Sequence, residues 1–308
     1  MNPAYSVIFL TVLIGAGQGL FLALFACELA GFGITPDERT TLALGAGLAL
    51  VFSGLGLVAS FFHLGHPERA WRAAAMWRTS WLSREVIALP VFMAALAAWG
   101  GAHWLALPGT RVIGTVAALA CVALFVCTGM VYASIRFLQE WASPLTLVNY
   151  GLIGCASGST LAALLASLRA PDIAPALATA ALLLTLAALA GRAASLVRNA
   201  GLRPRSTLQS AIGIKHPVIR QRAQGFMGGS FNTREFFHGR GAAALRGVKW
   251  FFLAAGFVLP ALLLAVAPAA SGPLLVAVLL QFAGLLAERW FFLAQANHPQ
   301  NLYYQAIS

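Results

Sequence analysis

Charge is scarce in this chain: Asp, Glu, Lys and Arg together make up 9% of its 308 residues, against 60% hydrophobic residues. That balance excludes an ordinary soluble domain, which cannot keep so much apolar surface in water. Cysteine is nearly absent as well. The four present, Cys27, Cys121, Cys127 and Cys155, all lie inside apolar segments and form no C-x-x-C pair, so neither an iron–sulfur cluster nor any other metal site is expected in this chain. Paired histidines are also missing. His103 stands near one end of an apolar segment with no partner at its depth, while His66, His216, His238 and His298 fall in loops or the tail. A b-type haem takes axial ligands from both sides of its ring, so no haem is expected. The apolar runs lack the two-residue alternation of barrel strands, and the first lacks the basic flank of a cleaved signal. No internal repeat stands out.

Continuous apolar length is what the chain has in abundance. Eight stretches, at about residues 6–30, 41–63, 85–107, 112–136, 146–168, 173–196, 248–267 and 273–295, match the roughly 20 residues that cross a hydrocarbon core about 30 Å thick. Only helices and closed barrels satisfy the backbone in lipid. The expected fold class is therefore all-α: a polytopic integral membrane protein, one anchor domain of eight transmembrane helices. Eight spans put both termini on one side, with the loops after helices 2, 4 and 6. That side carries Arg69, Arg72, Arg78, Arg84, Arg136, Arg198 and the basic residues from Arg203 to Arg246, whereas the other offers little beyond Arg39, Arg111 and Arg169. Positive charge marks the cytoplasmic side, so both termini are expected in the cytoplasm and the chain in a bacterial inner membrane. The net charge of +11 then reads as topology and attraction to lipid headgroups, not nucleic-acid binding.

One long extramembrane piece remains, about residues 197–247. It is too polar and glycine-rich for a core of its own, and long loops of this kind are usually functional or disordered. It can serve as a basic lipid-binding loop. Docking of a soluble partner is the sharper reading, because Phe226, Phe231, Phe236 and Phe237 stand there beside Arg234, and aromatics among arginines favour interfaces. Arg72, on the same side, joins this docking set.

The densest chemistry lies between helices 2 and 3. Phe62-His63-Leu64-Gly65-His66-Pro67-Glu68-Arg69-Ala70-Trp71-Arg72 is followed by Ser80-Trp81-Leu82-Ser83-Arg84-Glu85. Gly65 and Pro67 break the helix there. A short hairpin can bring His63 to Glu85, and a histidine beside a carboxylate at the membrane boundary suits proton exchange with a quinol hydroxyl, the carboxylate raising the histidine pKa. The alternative is an interfacial belt in which Trp, His and Arg only anchor helix ends. Helix 1 offers Gln18 among Gly15, Gly17 and Gly19, a pattern that helix packing explains more readily than a ligand does. Asn149 and Tyr150 open helix 5 near the same surface, where they could hold a quinone carbonyl or bond between helices. Glu28, at the far end of helix 1, reads as a solvated acid and a weak proton-path candidate. Charge at mid-span is expected to be nearly absent, with Arg192 toward the end of helix 6.

With these residues in view, the chain resembles the membrane-anchor subunits of dimethyl sulfoxide reductase-type molybdoenzymes. The likeness rests on the eight spans, the Gly-x-Gly-x-Gly helix, His63-Leu64-Gly65-x-Pro67-x-Arg69-Ala70, the downstream Ser80-x-Leu82-Ser83-x-Glu85, and Trp141-x-x-Pro144-Leu145-Thr146 before helix 5. It runs over essentially the whole chain. The resemblance implies an anchor with no redox cofactor of its own that binds menaquinone or ubiquinone. It also implies docking of an iron–sulfur subunit wired to a molybdopterin catalytic subunit. His63 and Glu85 are the residues it ties to quinone binding and proton exchange, with Gln18, Arg69, Arg84 and Asn149 in support. Within the group, the sulfite-oxidising complexes whose catalytic subunits stay in the cytoplasm fit best. Two other readings stay open at this point: a secondary transporter, and a scaffold without quinone chemistry.

Overall fold

The computed structural model describes residues 1–220 and 238–299, and the helices in it follow the apolar runs. Eight of them are long and apolar enough to cross a membrane: α1 (Tyr5–Leu29), α2 (Pro36–Phe61), α3 (Trp81–Trp104), α4 (Thr110–Ala133), α5 (Pro144–Arg169), α6 (Ala174–Ala200), α7 (Ala242–Val266) and α8 (Ser271–Ala294). The chain is a multi-pass membrane protein. Local polar chemistry sets where several helices start. Thr35 caps α2 in a box with Glu38, and Pro36 takes the first helical position, where its missing N–H is no loss. Ser80 caps α3 through the Ser83 amide, and Ser143 caps α5 through that of Leu145.

Several elements differ from the sequence expectation. α2 and α3 begin several residues earlier than their apolar runs, because a cap and not hydrophobicity decides the first turn. α6 continues to Ala200, and α7 starts at Ala242, so both ends of the expected 197–247 loop are helical, with a further short helix at Leu208–Ile212. The helix 2–3 connection is no short hairpin turn either. It contains a 3-10 segment over Pro67–Met76 with no buried residue.

α1 is the hub, packing against α2, α4, α5 and α8. Its glycines are used for that packing. A Cβ on Gly19 would collide with the Gly154 carbonyl, and one on Gly158 with the backbone of Gly19 and Leu20, so α1 and α5 touch backbone to backbone. α7 and α8 meet in the same way at Gly256 and Gly284. Gly256 lies in a π-helical turn, Ala254–Val258, just ahead of Pro260, which cannot donate to the preceding turn. An aromatic layer of Phe21, Phe25, Phe92 and Trp99 fills the bundle between α1 and α3, with ring centroids 5.2–6.3 Å apart. The start of α1 and the end of α8 share one end of the bundle, where the Met1 amine donates to the carbonyls of Ala294 and Ala296.

Candidate functional site

At that same end, a cavity of about 20 Å³ lies inside the bundle among α1, α3, α4, α5 and α8. This is space for about one water. Thr11, Gln18, Glu85, Thr128, Tyr150, Ser157 and Arg289 supply its polar wall. Each is delivered by helix geometry. Glu85 follows the Ser80 cap by a turn and a half and faces α4, where the Thr128 hydroxyl donates to its Oε1 at 2.6 Å. Gln18 is buried, and its amide nitrogen donates to the Cys121 carbonyl at 2.9 Å, so it ties α1 to α4 as well as lining the cavity.

Arg289 enters from α8 and lies over the Tyr150 ring, 4.1 Å from its centroid. Its Nε pairs with Glu288 Oε2 at 2.7 Å, while Arg192 Nε of α6 pairs with Glu288 Oε1, also at 2.7 Å. These three charges are 2%, 0% and 4% exposed for Arg192, Glu288 and Arg289. Arg192 lies toward the end of α6 as expected, and Glu288 and Arg289, in the last third of α8, join it. The ions survive inside the bundle because they are paired and because Phe252 and Phe291 rings flank Arg192 at 5.5 and 5.8 Å.

Asn149 does not line the Glu85 cavity. It borders a second one of about 10 Å³ with Glu140, Thr146, Arg192, Ser195 and Glu288, and its amide donates to Ser195 Oγ at 2.8 Å and to the Gly191 carbonyl at 3.2 Å. Tyr150 and Arg289 form a wall common to both cavities.

The other residues expected at the site stand apart. His63 is exposed just beyond α2, and among the described residues no hydrogen bond or ion pair joins it to Glu85. Desolvation lowers its pKa, the opposite of the rise expected from a neighbouring carboxylate. Arg69 is exposed and pairs with Glu68 at 3.6 Å. Arg84 is held on the outer face by the Trp77 and Arg78 carbonyls at 2.9 and 2.8 Å, and lies over Trp81. Arg72 lies over the exposed Trp71 and Arg78 over Trp77, at 5.5 and 5.4 Å, so the 3-10 segment presents arginine and tryptophan outward. Phe226, Phe231, Arg234, Phe236 and Phe237 lie outside the described residues.

Glu28 also needs correction. It is buried at the far end of the bundle, accepting from Trp99 Nε1 at 2.7 Å and Thr110 Oγ1 at 2.5 Å, with His103 Nε2 at 3.4 Å. α3 and α4 close over an α1 acid that the sequence suggests is solvated. Sequence reasoning missed Arg289 altogether. The available signal was Glu288-Arg289 inside a helix otherwise apolar enough to span a membrane, since such charges in lipid demand a partner.

Comparison with known proteins adds three results. The family model described as the DMSO reductase anchor subunit (DmsC) matches residues 1–304. The sequence is 49% identical over 325 aligned positions to the C subunit of sulfite dehydrogenase from Allochromatium vinosum, with both proteins covered in full. It is 30% identical over 161 positions to the C component of anaerobic dimethyl sulfoxide reductase from Escherichia coli, covering 50% of this protein and 54% of that one. A family match across nearly the whole length, on a bundle of eight apolar helices, makes this chain a member of the DMSO reductase anchor subunit family.

Proposed function

We propose that this anchor is the quinone-reactive membrane subunit of a molybdopterin and iron–sulfur oxidoreductase, with Glu85 as its proton-exchanging group. The observation that carries the reading is the Glu85 cavity: a carboxyl group inside an apolar bundle, opposite an arginine, at the end where the basic loops gather. Intramembrane ionisable groups of this kind mark functional sites. The full-length likeness to a sulfite dehydrogenase subunit supports sulfite as the substrate of the partner enzyme, with electrons passing through an iron–sulfur subunit into quinone.

A bound quinone supplies the two-electron, two-proton couple. The anchor's part is to admit the ring and handle its protons. At about 20 Å³ the cavity admits a ring only by movement of its walls. The donor set suits the ligand, since a carboxyl group and a guanidinium offer hydrogen bonds to ring oxygens from different helices. Glu85, with Oε1 already bonded by Thr128, holds or releases a proton at its carboxylate. His63, at the same end of the bundle, meets the quinone at the membrane boundary, and Gln18 and Tyr150 shape the cavity. The excess of positive charge at this end supports a cytoplasmic orientation. Arg72 and Trp71 of the 3-10 segment, with Trp77 just after it, offer the docking face for the iron–sulfur subunit.

The test is Glu85→Gln in the purified complex. Quinone-linked turnover should fall by about 10²–10⁴, the usual worth of a general acid–base group, while turnover with a soluble dye on the catalytic subunit reports that assembly survives. His63→Ala should lower quinone-linked turnover without loss of assembly. Quinone-linked turnover untouched in both variants would remove this site from the reading.

A further inference from the structure

Three buried charges sit together on α6 and α8, and they do not sum to zero. Glu288 gives one carboxylate oxygen to Arg192 and the other to Arg289, both at 2.7 Å. With two guanidinium groups on one carboxylate the cluster carries a net charge of +1. A neutral ion pair would have met the demands of burial; a third ion adds desolvation cost without neutralising anything. Glu140 borders the cavity that both arginines line, and Glu85 the one that Arg289 lines without Arg192. Neither acid forms an ion pair with these guanidinium groups among the described residues, so the surplus positive charge stays open to a negative counterpart.

The geometry indicates where that counterpart goes. Arg289 lines the Glu85 cavity, whereas Arg192 lines only the neighbouring one. The Arg289 side chain also hydrogen-bonds that of Tyr150, but its Nη1, like Arg192 Nη2, is buried without a well-aligned hydrogen bond among the described residues, although such donors are nearly always satisfied. Glu288 holds the Nε edge of Arg289, and the Tyr150 ring lies 4.1 Å from its Cζ. The guanidinium is thus fixed in place before any ligand arrives. Arg192, by pairing with the second oxygen of Glu288, lets Arg289 keep its full charge at the cavity wall.

We propose that Arg289 is the cationic hydrogen-bond donor that binds a ring oxygen of the quinone as negative charge develops on it, with Arg192 a positioning residue that maintains the charge. This rests on the quinone reading of the Glu85 cavity and deepens it. Reduction brings two electrons from the docked iron–sulfur subunit and two protons; oxidation returns both. Electrons and protons need not move together, and a fixed, dry positive charge at the oxygen stabilises the interval between them. Glu85 and Arg289 then divide the work, one handling the proton and the other the charge. Neither Arg69 nor Arg84, both held outside the cavity, can substitute.

The test uses two soluble probes on the purified complex: 1,4-naphthoquinone, which is neutral, and 2-hydroxy-1,4-naphthoquinone, which is anionic at neutral pH. Binding is measured alongside quinone-linked turnover, with dye-linked turnover reporting assembly. Arg289→Gln leaves the Arg192–Glu288 pair neutral. It should weaken the anionic probe at least about tenfold more than the neutral one and lower turnover by about 10²–10³, as loss of one preorganised donor does. Arg192→Gln removes a charge from a residue that does not line the Glu85 cavity, so it should weaken the anionic probe while the neutral probe binds as before. Arg289→Lys keeps the charge and should retain part of the preference for the anion. Should Arg289→Gln fail to assemble, the other two variants decide. Equal effects on both probes, or none, would overturn the role of Arg289. If Glu85→Gln impairs turnover while the arginine variants do not, only this inference fails; if all are silent, the quinone reading fails with it.

Discussion

Glu288 holds two arginines at once in a place where water cannot compensate for the loss of a partner. Its replacement by Gln would leave two buried guanidinium groups facing each other, and removing one member of a buried ion pair typically costs about 3–5 kcal/mol. Glu288→Gln should therefore lower the thermal midpoint of the detergent-solubilised protein sharply. Glu68→Gln should leave it unchanged, because the Glu68–Arg69 pair is 62% and 57% exposed and such pairs contribute little. Comparable midpoints for the two variants would mean that the buried triad is dispensable to the fold. At this scale the sequence singles out Glu85, which stands in a motif, and is silent about Arg289. Motif spacing is local, whereas the Arg192–Glu288–Arg289 cluster exists only once α6 and α8 pack. Glu28 misled for the same reason: its position near a helix end suggested water, but Trp99 and Thr110 come from other helices to cover it.

Among the elements, α1 and α5 touch backbone to backbone, and small residues are the cause. Gly158 on α5 meets the backbone of Gly19 and Leu20 on α1, whereas Gly151 on the same helix has nothing within 4 Å of the position its Cβ would take. Gly158→Ala must part the two helices and should destabilise by about 1–3 kcal/mol, as overpacking does. Gly151→Ala should be neutral or slightly stabilising, since alanine favours the helix. Quinone-linked turnover should follow stability in this pair, because Gly15 and Gly154 of the same contact line the Glu85 cavity. Equal thermal midpoints for the two alanine variants would contradict the close contact. The helices themselves were legible because an apolar run of membrane length has few other folds open to it. Their starts were less so. α2 begins in Pro36-Asp37-Glu38-Arg39, a stretch no hydropathy window selects, because the Thr35–Glu38 box satisfies its first amides. α7 begins ahead of its apolar run, with Arg246 and Lys249 in its opening turns.

The molecule as a whole is closed at one end by its own amino group. Met1 donates to the carbonyls of Ala294 and Ala296 at 3.2 and 2.8 Å, which ties the hub helix α1 to α8, the helix that carries Glu288 and Arg289. Desolvation by this packing lowers the amine pKa from 8.0 to about 6, against the opposing pull of Glu140. His298 is held below its ordinary 6.5 by desolvation first and by the nearby amine second. Both are bases that the folded state keeps neutral more readily than the unfolded chain does. Between the folded and unfolded values, the unfolded state binds more protons, so stability rises with pH. For the amine that window runs from about 6 to 8.0; for the imidazole it lies below 6.5. The thermal midpoint in detergent should therefore climb from the lower to the upper end of the amine window and level off above it. His298→Gln should reduce the slope below 6.5, where His63 contributes in the same sense, and leave the amine's part in place. A midpoint that falls or stays level as pH rises across the amine window would show that the join between the first and last helices carries no proton-linked stability.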